Sequence, residues 1–210
     1  MKITIFGSTG GTGQQLVRKA LERGHEVTAF ARTPSKLEAQ HSDLSIVEGD
    51  VREPETVSLA IRDADAVINA IGPAPNTPDD LMKKAAGNII SGMQEHGVNR
   101  LIWSTGAGVE APQDEPTLMH KVISFLLKMF SKDILENSLR GAEIVKNSDL
   151  DWTIARAPML TDEDQKGGYQ VSYVGPDLRR TLSRANYAEF MLDLAESDEW
   201  IGEMPAASDK

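Results

Sequence analysis

The feature that most constrains this chain is the run GSTGGTG, Gly7 to Gly13, which joins an apolar β-branched segment (Lys2 to Phe6) to a segment of helical period. Glycine recurs there at every third position, where a strand gives way to a helix. Such a turn aims backbone N–H groups and the positive helix terminus at one point beyond the strand, an arrangement suited to a pyrophosphate. Gly7 permits the tight turn, Gly10 keeps a side chain out of the phosphate's approach, and Gly13 lets the helix settle on the sheet. Ser8, Thr9, Gly11 and Thr12 complete the cradle. The spacing is G-x-x-G-x-x-G, one residue longer in its first interval than the usual dinucleotide fingerprint. Its place inside a strand-helix-strand unit favours a dinucleotide over the other reading, a merely tight turn.

The rest of the chain repeats that unit. Strands are predicted at Lys2–Phe6, Glu26–Ala31, Leu44–Glu48, Ala66–Ala70, Arg100–Ser104 and Trp152–Arg156. Helices are predicted at Gly11–Arg23, Pro54–Arg62, Asp80–His96, Thr117–Phe130, Leu135–Asn147 and Ala185–Glu196. The alternation implies an α/β fold with a doubly wound parallel sheet, because parallel neighbours need long right-handed crossovers. With 210 residues and no linker-like stretch, one domain spanning 1–210 is expected, its C-terminal part forming the pocket for a second ligand.

Composition excludes several function classes. A net charge of −10 opposes the positive field of a nucleic-acid binder, and the lack of cysteine removes disulfides, thiolate chemistry and Cys-ligated metals. The four histidines show no helical pairing suited to a metal. No apolar run reaches membrane-spanning length, so a soluble cytoplasmic protein without membrane insertion is expected, with a homo-oligomer left open.

Ligands of open α/β sheets lie beyond the carboxyl ends of the strands, so those ends supply the other candidates. After the second strand stands Arg32, with Lys36 close behind, where an NAD site usually carries a carboxylate for the ribose 2′-OH. A guanidinium instead matches a 2′-phosphate and favours NADP(H); for Lys36 a solvated surface role is an equal alternative. Asp50 and Val51 follow the third strand, as partners for an adenine amino group and ring. Ala70, Ile71 and Gly72 follow the fourth and leave room for ribose and phosphates. Each of these also reads as ordinary turn and strand packing.

GSTGGTG, EVTAFARTPSK, VEGDV, DAVINAIG, NIISGMQEHGVNRLIWSTGAG, SDLDWTIARAP and SRANYAEFML together resemble the atypical short-chain dehydrogenase/reductase family, in the NmrA-like and biliverdin reductase B (flavin reductase)-like group. The resemblance implies a Rossmann-like NAD(P)-binding domain, NADP at the Gly7–Gly13 turn, and a small hydrophobic electron acceptor, flavin- or quinone-like, over the nicotinamide. It places Ser104 and Thr105 beside the nicotinamide as the catalytic candidates, with strand-end capping as the alternative, and presents backbone near Pro158 to the carboxamide. The chain departs from the wider superfamily in lacking a Tyr-x-x-x-Lys pair, since no lysine stands four residues after Tyr169, Tyr173 or Tyr187. In the helix where that pair is expected, Leu139 and Glu143 stand at a plausible register. Two functions follow: a reductase whose acceptor takes its proton from water, or an NADP(H)-binding redox sensor working through a protein partner.

Three lesser features complete the reading. The helix predicted at 117–130 carries an apolar face (Leu118, Met119, Val122, Ile123, Leu126, Leu127, Phe130) and a basic one, which suits a core helix and pocket wall better than a membrane surface. Asp162, Glu163 and Asp164 form an acidic cluster read as a solvated loop or helix cap. His120 is read as a surface residue.

Overall fold

Strands buried on both faces read as mainly apolar runs, and two strands buried in this way border the point where the sheet reverses. In the computed structural model, which describes residues 1–74, 77–118, 122, 129, 131–163 and 167–210, these are β1 (Lys2–Phe6) and β4 (Ala66–Asn69). Flanking them are β2 (Glu26–Ala31), β3 (Leu44–Glu48), β5 (Arg100–Gly106) and β6 (Asp151–Ala157). Four short strands follow: β7 (Met159–Thr161), β8 (Tyr169–Ser172), β9 (Thr181–Ser183) and β10 (Ala206–Asp209). The order in the main sheet is β3-β2-β1-β4-β5-β6-β10-β8, parallel throughout except for β8, while β7 and β9 pair separately.

The chain winds outward from β1 to β3, then returns to β4 on the other side of β1. That reversal opens a crevice beyond the carboxyl ends of β1 and β4, the place where open α/β sheets bind ligands. The architecture is Rossmann-like and doubly wound, as expected from sequence.

Helices cover both faces. α2 (Pro54–Ile61), α3 (Leu81–His96) and α4 (Lys132–Lys146) pack on one side, where Phe6, Phe30, Ile61, Met82, Ile89 and Trp103 form the core. On the other side α1 (Gly11–Glu22) and α5 (Arg184–Ala195) close over Ile3, Ile5, Leu16, Ile68, Tyr187 and Phe190. The α1–α5 seam is ionic at its far end: Lys19 meets Glu189 at 2.8 Å, and Arg23 meets Glu189, Asp193 (2.7 Å) and Glu196 (3.0 Å). His25 lies 2.6 Å from Glu196. Gly24 (φ +80°) and Gly97 (φ +68°) follow α1 and α3 in the left-handed conformation that a helix C-terminus favours.

The six predicted strands are present with ends shifted by a residue or two; β5, for instance, runs on to Gly106. α4 starts three residues before the predicted Leu135, because the charged Lys132 and Asp133 precede its first apolar residues. The helix predicted at 117–130 lies mostly outside the described residues, as do His120 and Asp164.

Candidate functional site

The crevice owes its shape to side chains that are missing. Gly7 has φ +78°, and a Cβ there would lie 2.8 Å from the Ala70 carbonyl carbon and the Ile71 nitrogen. Any other residue would push the ends of β1 and β4 apart. A Cβ on Gly13 would lie 2.0 Å from the Gly7 oxygen, so α1 rests directly on the turn that precedes it. Gly10 caps α1 without a side-chain acceptor, and the first turn of α1 holds no acidic residue. Its leading N–H groups are therefore available to an anion from outside. Ser8 points the other way: buried, it donates from Oγ to the Phe30 carbonyl at 2.9 Å and ties the turn to β2.

Most of the residues singled out from the sequence meet at this crevice of about 290 Å³: Gly7, Thr9 and Gly10 from the first turn, Arg32 and Lys36 from the end of β2, Asp50 and Val51 after β3, and Ala70, Ile71 and Gly72 after β4. Phe30, Ala31 and Leu81 also line it and were not anticipated. The signal for Phe30 was present, since a strand's last apolar residue on the ligand side becomes a wall. Asp50 is more occupied than its sequence position implies. Its carboxylate accepts from Arg52 Nε at 2.9 Å and Nη2 at 2.7 Å. Those bonds, with Arg32's charge adding to them, hold its pKa down to about 2. Five of the cofactor-binding candidates do not line the crevice, and neither do Ser104 and Thr105. Ser8 and Gly13 shape the turn from beneath, Gly11 lies under the side chain of Arg184, Thr12 is half-buried on the first turn of α1, and Pro158 is half-buried after β6.

Beyond β5 and β6 the wall is made differently. Ser104 Oγ lies 2.9 Å from the Tyr187 hydroxyl, which in turn donates to the Ala155 carbonyl at 2.8 Å. A phenol has one proton and a carbonyl none, so the Ser104 hydroxyl must donate to Tyr187. Tyr187 is 1% exposed, and burial pushes its pKa well above the ordinary phenol value. Its proton is thus committed. Thr105 contrasts with it: its Oγ1 is buried and has no hydrogen-bond partner among the described residues, the kind of orphan that a ligand or water normally satisfies. The Ser104–Tyr187 link, 83 residues apart, carries no local sequence signature.

Leu139 and Glu143, at the register where a Tyr-x-x-x-Lys pair is expected, lie on the outer side of α4. Both are exposed, and the buried side of α4 is formed by Asn137, Gly141, Ala142 and Val145. Asn137 accepts from the Met82 N–H at 3.0 Å and donates to the Pro78 carbonyl at 2.8 Å, joining α4 to the start of α3. Arg156, two residues before Pro158, is fully buried. It forms two 2.7 Å bonds with Asp114 and also donates to the carbonyls of Met204 (2.7 Å) and Val109 (3.0 Å). Asp114 further accepts from the N–H groups of Ala111 (2.7 Å) and Val174 (2.9 Å). Burial raises the Asp114 pKa, but Arg156 and these N–H donors outweigh it and the net shift is downward. The segment after β5 is pinned to β6 by this knot. In the acidic cluster Asp162 pairs with Arg184 at 2.7 Å, and Glu163 is exposed.

Comparison with known proteins agrees with this geometry. The model of a family described as NAD(P)H-binding matches residues 7–198. The Bacillus subtilis (strain 168) protein YwnB is 32% identical over 211 residues, covering 95% of this chain and 94% of its own. A wide-type short-chain dehydrogenase/reductase from Veillonella parvula, solved with NADP, superposes with a TM-score of 0.82 at 16% identity, over 99% of this chain and 94% of its own. ChuY, an anaerobillin reductase from Escherichia coli O157:H7, gives a TM-score of 0.81 at 20% identity, over 100% of this chain and 97% of its own. Larger curated relatives align with 51–52% of this chain and 32–34% of their own length. Among the described residues no helix is long and apolar enough to cross a membrane. With its glycine-built crevice at the sheet's reversal point and a family match over nearly its whole length, the chain belongs to the NAD(P)H-binding family and carries its dinucleotide-type crevice on a Rossmann-like fold.

Proposed function

We propose that this chain is an NADPH-dependent reductase acting on a small conjugated acceptor, of flavin or quinone type, that takes its proton from water. One observation carries the reading: the bare-backbone crevice is rimmed by Arg32, while the hydroxyls at the ends of β5 and β6 include no group able to serve as a strong proton donor.

The residues fit the cofactor on their own terms. The space kept open at Gly7 and Gly10 and the uncapped start of α1 suit a diphosphate, with Ser8, Thr9, Gly11, Thr12 and Gly13 fixing the turn. Arg32 and Lys36 would hold a 2′-phosphate, Val51 and Asp50 the adenine, and Ala70 to Gly72 the riboses. Bound NADPH would supply a hydride. Ser104 and Thr105 would position the acceptor at the end of β5, and Pro158 would shape the nicotinamide end. The buried Tyr187 takes no part in proton transfer, so orientation supplies the catalysis. The likeness to ChuY, named as a reductase, supports the same direction.

The lack of a proton-delivering acid equally favours a second reading, an NADP(H)-binding redox sensor that acts through a protein partner. Purified protein titrated with NADPH and NADH, then screened for NADPH oxidation over flavins, quinones and tetrapyrroles, separates the two. Turnover supports the reductase. Tight binding without turnover, together with a partner affinity that depends on the oxidation state of the cofactor, supports the sensor. Arg32→Asp is expected to weaken NADPH at least about tenfold more than NADH; equal weakening of both would remove the 2′-phosphate assignment.

A further inference from the structure

Arg184, the first residue of α5, sends its side chain across the start of a different helix. Its Cδ and Nε lie 2.8 and 2.9 Å from where a Cβ on Gly11 would stand. Gly11 is the first residue of α1, so the guanidinium stem occupies space that only a glycine leaves open. A cation beside a helix N-terminus has the sign that the backbone dipole disfavours. α1 supplies no side-chain cap and no acidic residue in its first turn to offset it.

Among the described residues the carboxylate that hydrogen-bonds Arg184 is Asp162, at 2.7 Å, and that side chain is 85% exposed. An ion pair so open to water contributes little. The two residues are held together by the pairing of β7 with β9, which sets Thr161 opposite Ser183 and leaves Asp162 and Arg184 one position beyond. The backbone at Arg184 is firmly held. Ser183 Oγ caps α5 by accepting the Asn186 N–H at 3.1 Å, and the Asp209 carboxylate accepts the Ser183 N–H at 3.0 Å and Asn186 Nδ2 at 2.6 Å. Only the side chain of Arg184 needs to move for it to change partner.

We propose that Arg184 is a diphosphate ligand held in reserve by Asp162: when a nicotinamide dinucleotide enters, the guanidinium exchanges the exposed carboxylate for the diphosphate at the start of α1. The inference rests on the Gly7–Gly13 turn being the dinucleotide site. It explains why a cation is kept against a helix N-terminus, since an anion there satisfies the helix and the guanidinium together. Asp162 is then a competitor of the ligand, not part of its binding site.

Calorimetric titration of NADPH and NADH into wild type, Arg184→Gln and Asp162→Asn tests this, with circular dichroism melting of each unliganded protein to establish folding. Arg184→Gln is expected to lose about tenfold in affinity for both dinucleotides alike, because the diphosphate is common to them. Asp162→Asn is expected to bind both up to about fivefold more tightly, because the competing charge has gone. Wild-type affinity in Arg184→Gln, or weakening in Asp162→Asn, would overturn the proposal and leave the pair as a clasp between the ends of β7 and β9. If the wild type bound neither dinucleotide, the turn itself would be misread and the exchange would fall with it. That outcome is distinct from a wild type that binds and variants that fail to differ from it.

Discussion

The two halves of the site solve the same structural problem in opposite ways. Between β2, β1 and β4 the strand ends approach because side chains are absent: Gly7 leaves room for the backbone at Ala70, and Gly13 lets α1 rest on the Gly7 carbonyl. Between β5, β6 and β10 the strand ends are held by side chains placed inside, with Arg156 and Asp114 buried together and Tyr187 bridging Ser104 to Ala155. The first wall depends on hard-sphere contact, which tolerates no added atom. The second depends on charge and hydrogen-bond pairing, which tolerates no lost partner.

The sharpest way to break that contrast is to remove one partner from the second wall. Asp114→Ala leaves a fully buried guanidinium without its counter-ion and is expected to cost about 3–5 kcal/mol in urea denaturation while changing the NADPH Kd less than about threefold. Arg156→Met is expected to cost less, because the Asp114 carboxylate keeps its N–H donors from Ala111 and Val174. Adding one carbon to the first wall should behave in the reverse manner. Gly13→Ala is expected to destabilise by about 1–3 kcal/mol as α1 is displaced, yet to abolish measurable dinucleotide binding. A smaller effect belongs to Tyr187→Phe, at about 1–2 kcal/mol, since the Ser104 donor and the Ala155 acceptor each lose a buried partner. A loss below about 0.5 kcal/mol by the same denaturation measurement would mean that this bridge does not hold the strand ends.

The weakest effect comes from pH. The Asp50 pKa is lowered from 3.8 to about 2 in the folded protein, chiefly by hydrogen bonds from Arg52. Its stabilising contribution is therefore complete above the unfolded value and fades as pH falls through about 2. Asp50→Asn should flatten the acid side of the stability curve in that window, measured as midpoint against pH. An unchanged curve would show that the Arg52 pair adds nothing to folding.

The first wall was largely legible in the sequence and the second was not, for a physical reason. A backbone site announces itself locally: glycines at fixed spacing between a strand and a helix, then short motifs at successive strand ends, most of which reappear around one crevice. A side-chain site is assembled from distant positions. Nothing near Arg156 indicates that it will meet Asp114, 42 residues away, and the segment around Tyr187 shows only that no lysine follows it at the expected spacing. The short strands escaped notice too. β10, Ala-Ala-Ser-Asp, has residues that seldom favour strands and is held by its neighbours β6 and β8. Leu139 and Glu143 stand at the spacing of a known pair, but that spacing does not say which side of α4 is buried.

The fixed direction of donation from Ser104 through Tyr187 to Ala155 also decides which face of the Ser104 hydroxyl is left open. A molecule reaching Ser104 meets oxygen lone pairs, because the only proton on that hydroxyl is already spoken for. The polarity of one buried phenol thus leaves the Ser104 oxygen at this strand end as a hydrogen-bond acceptor.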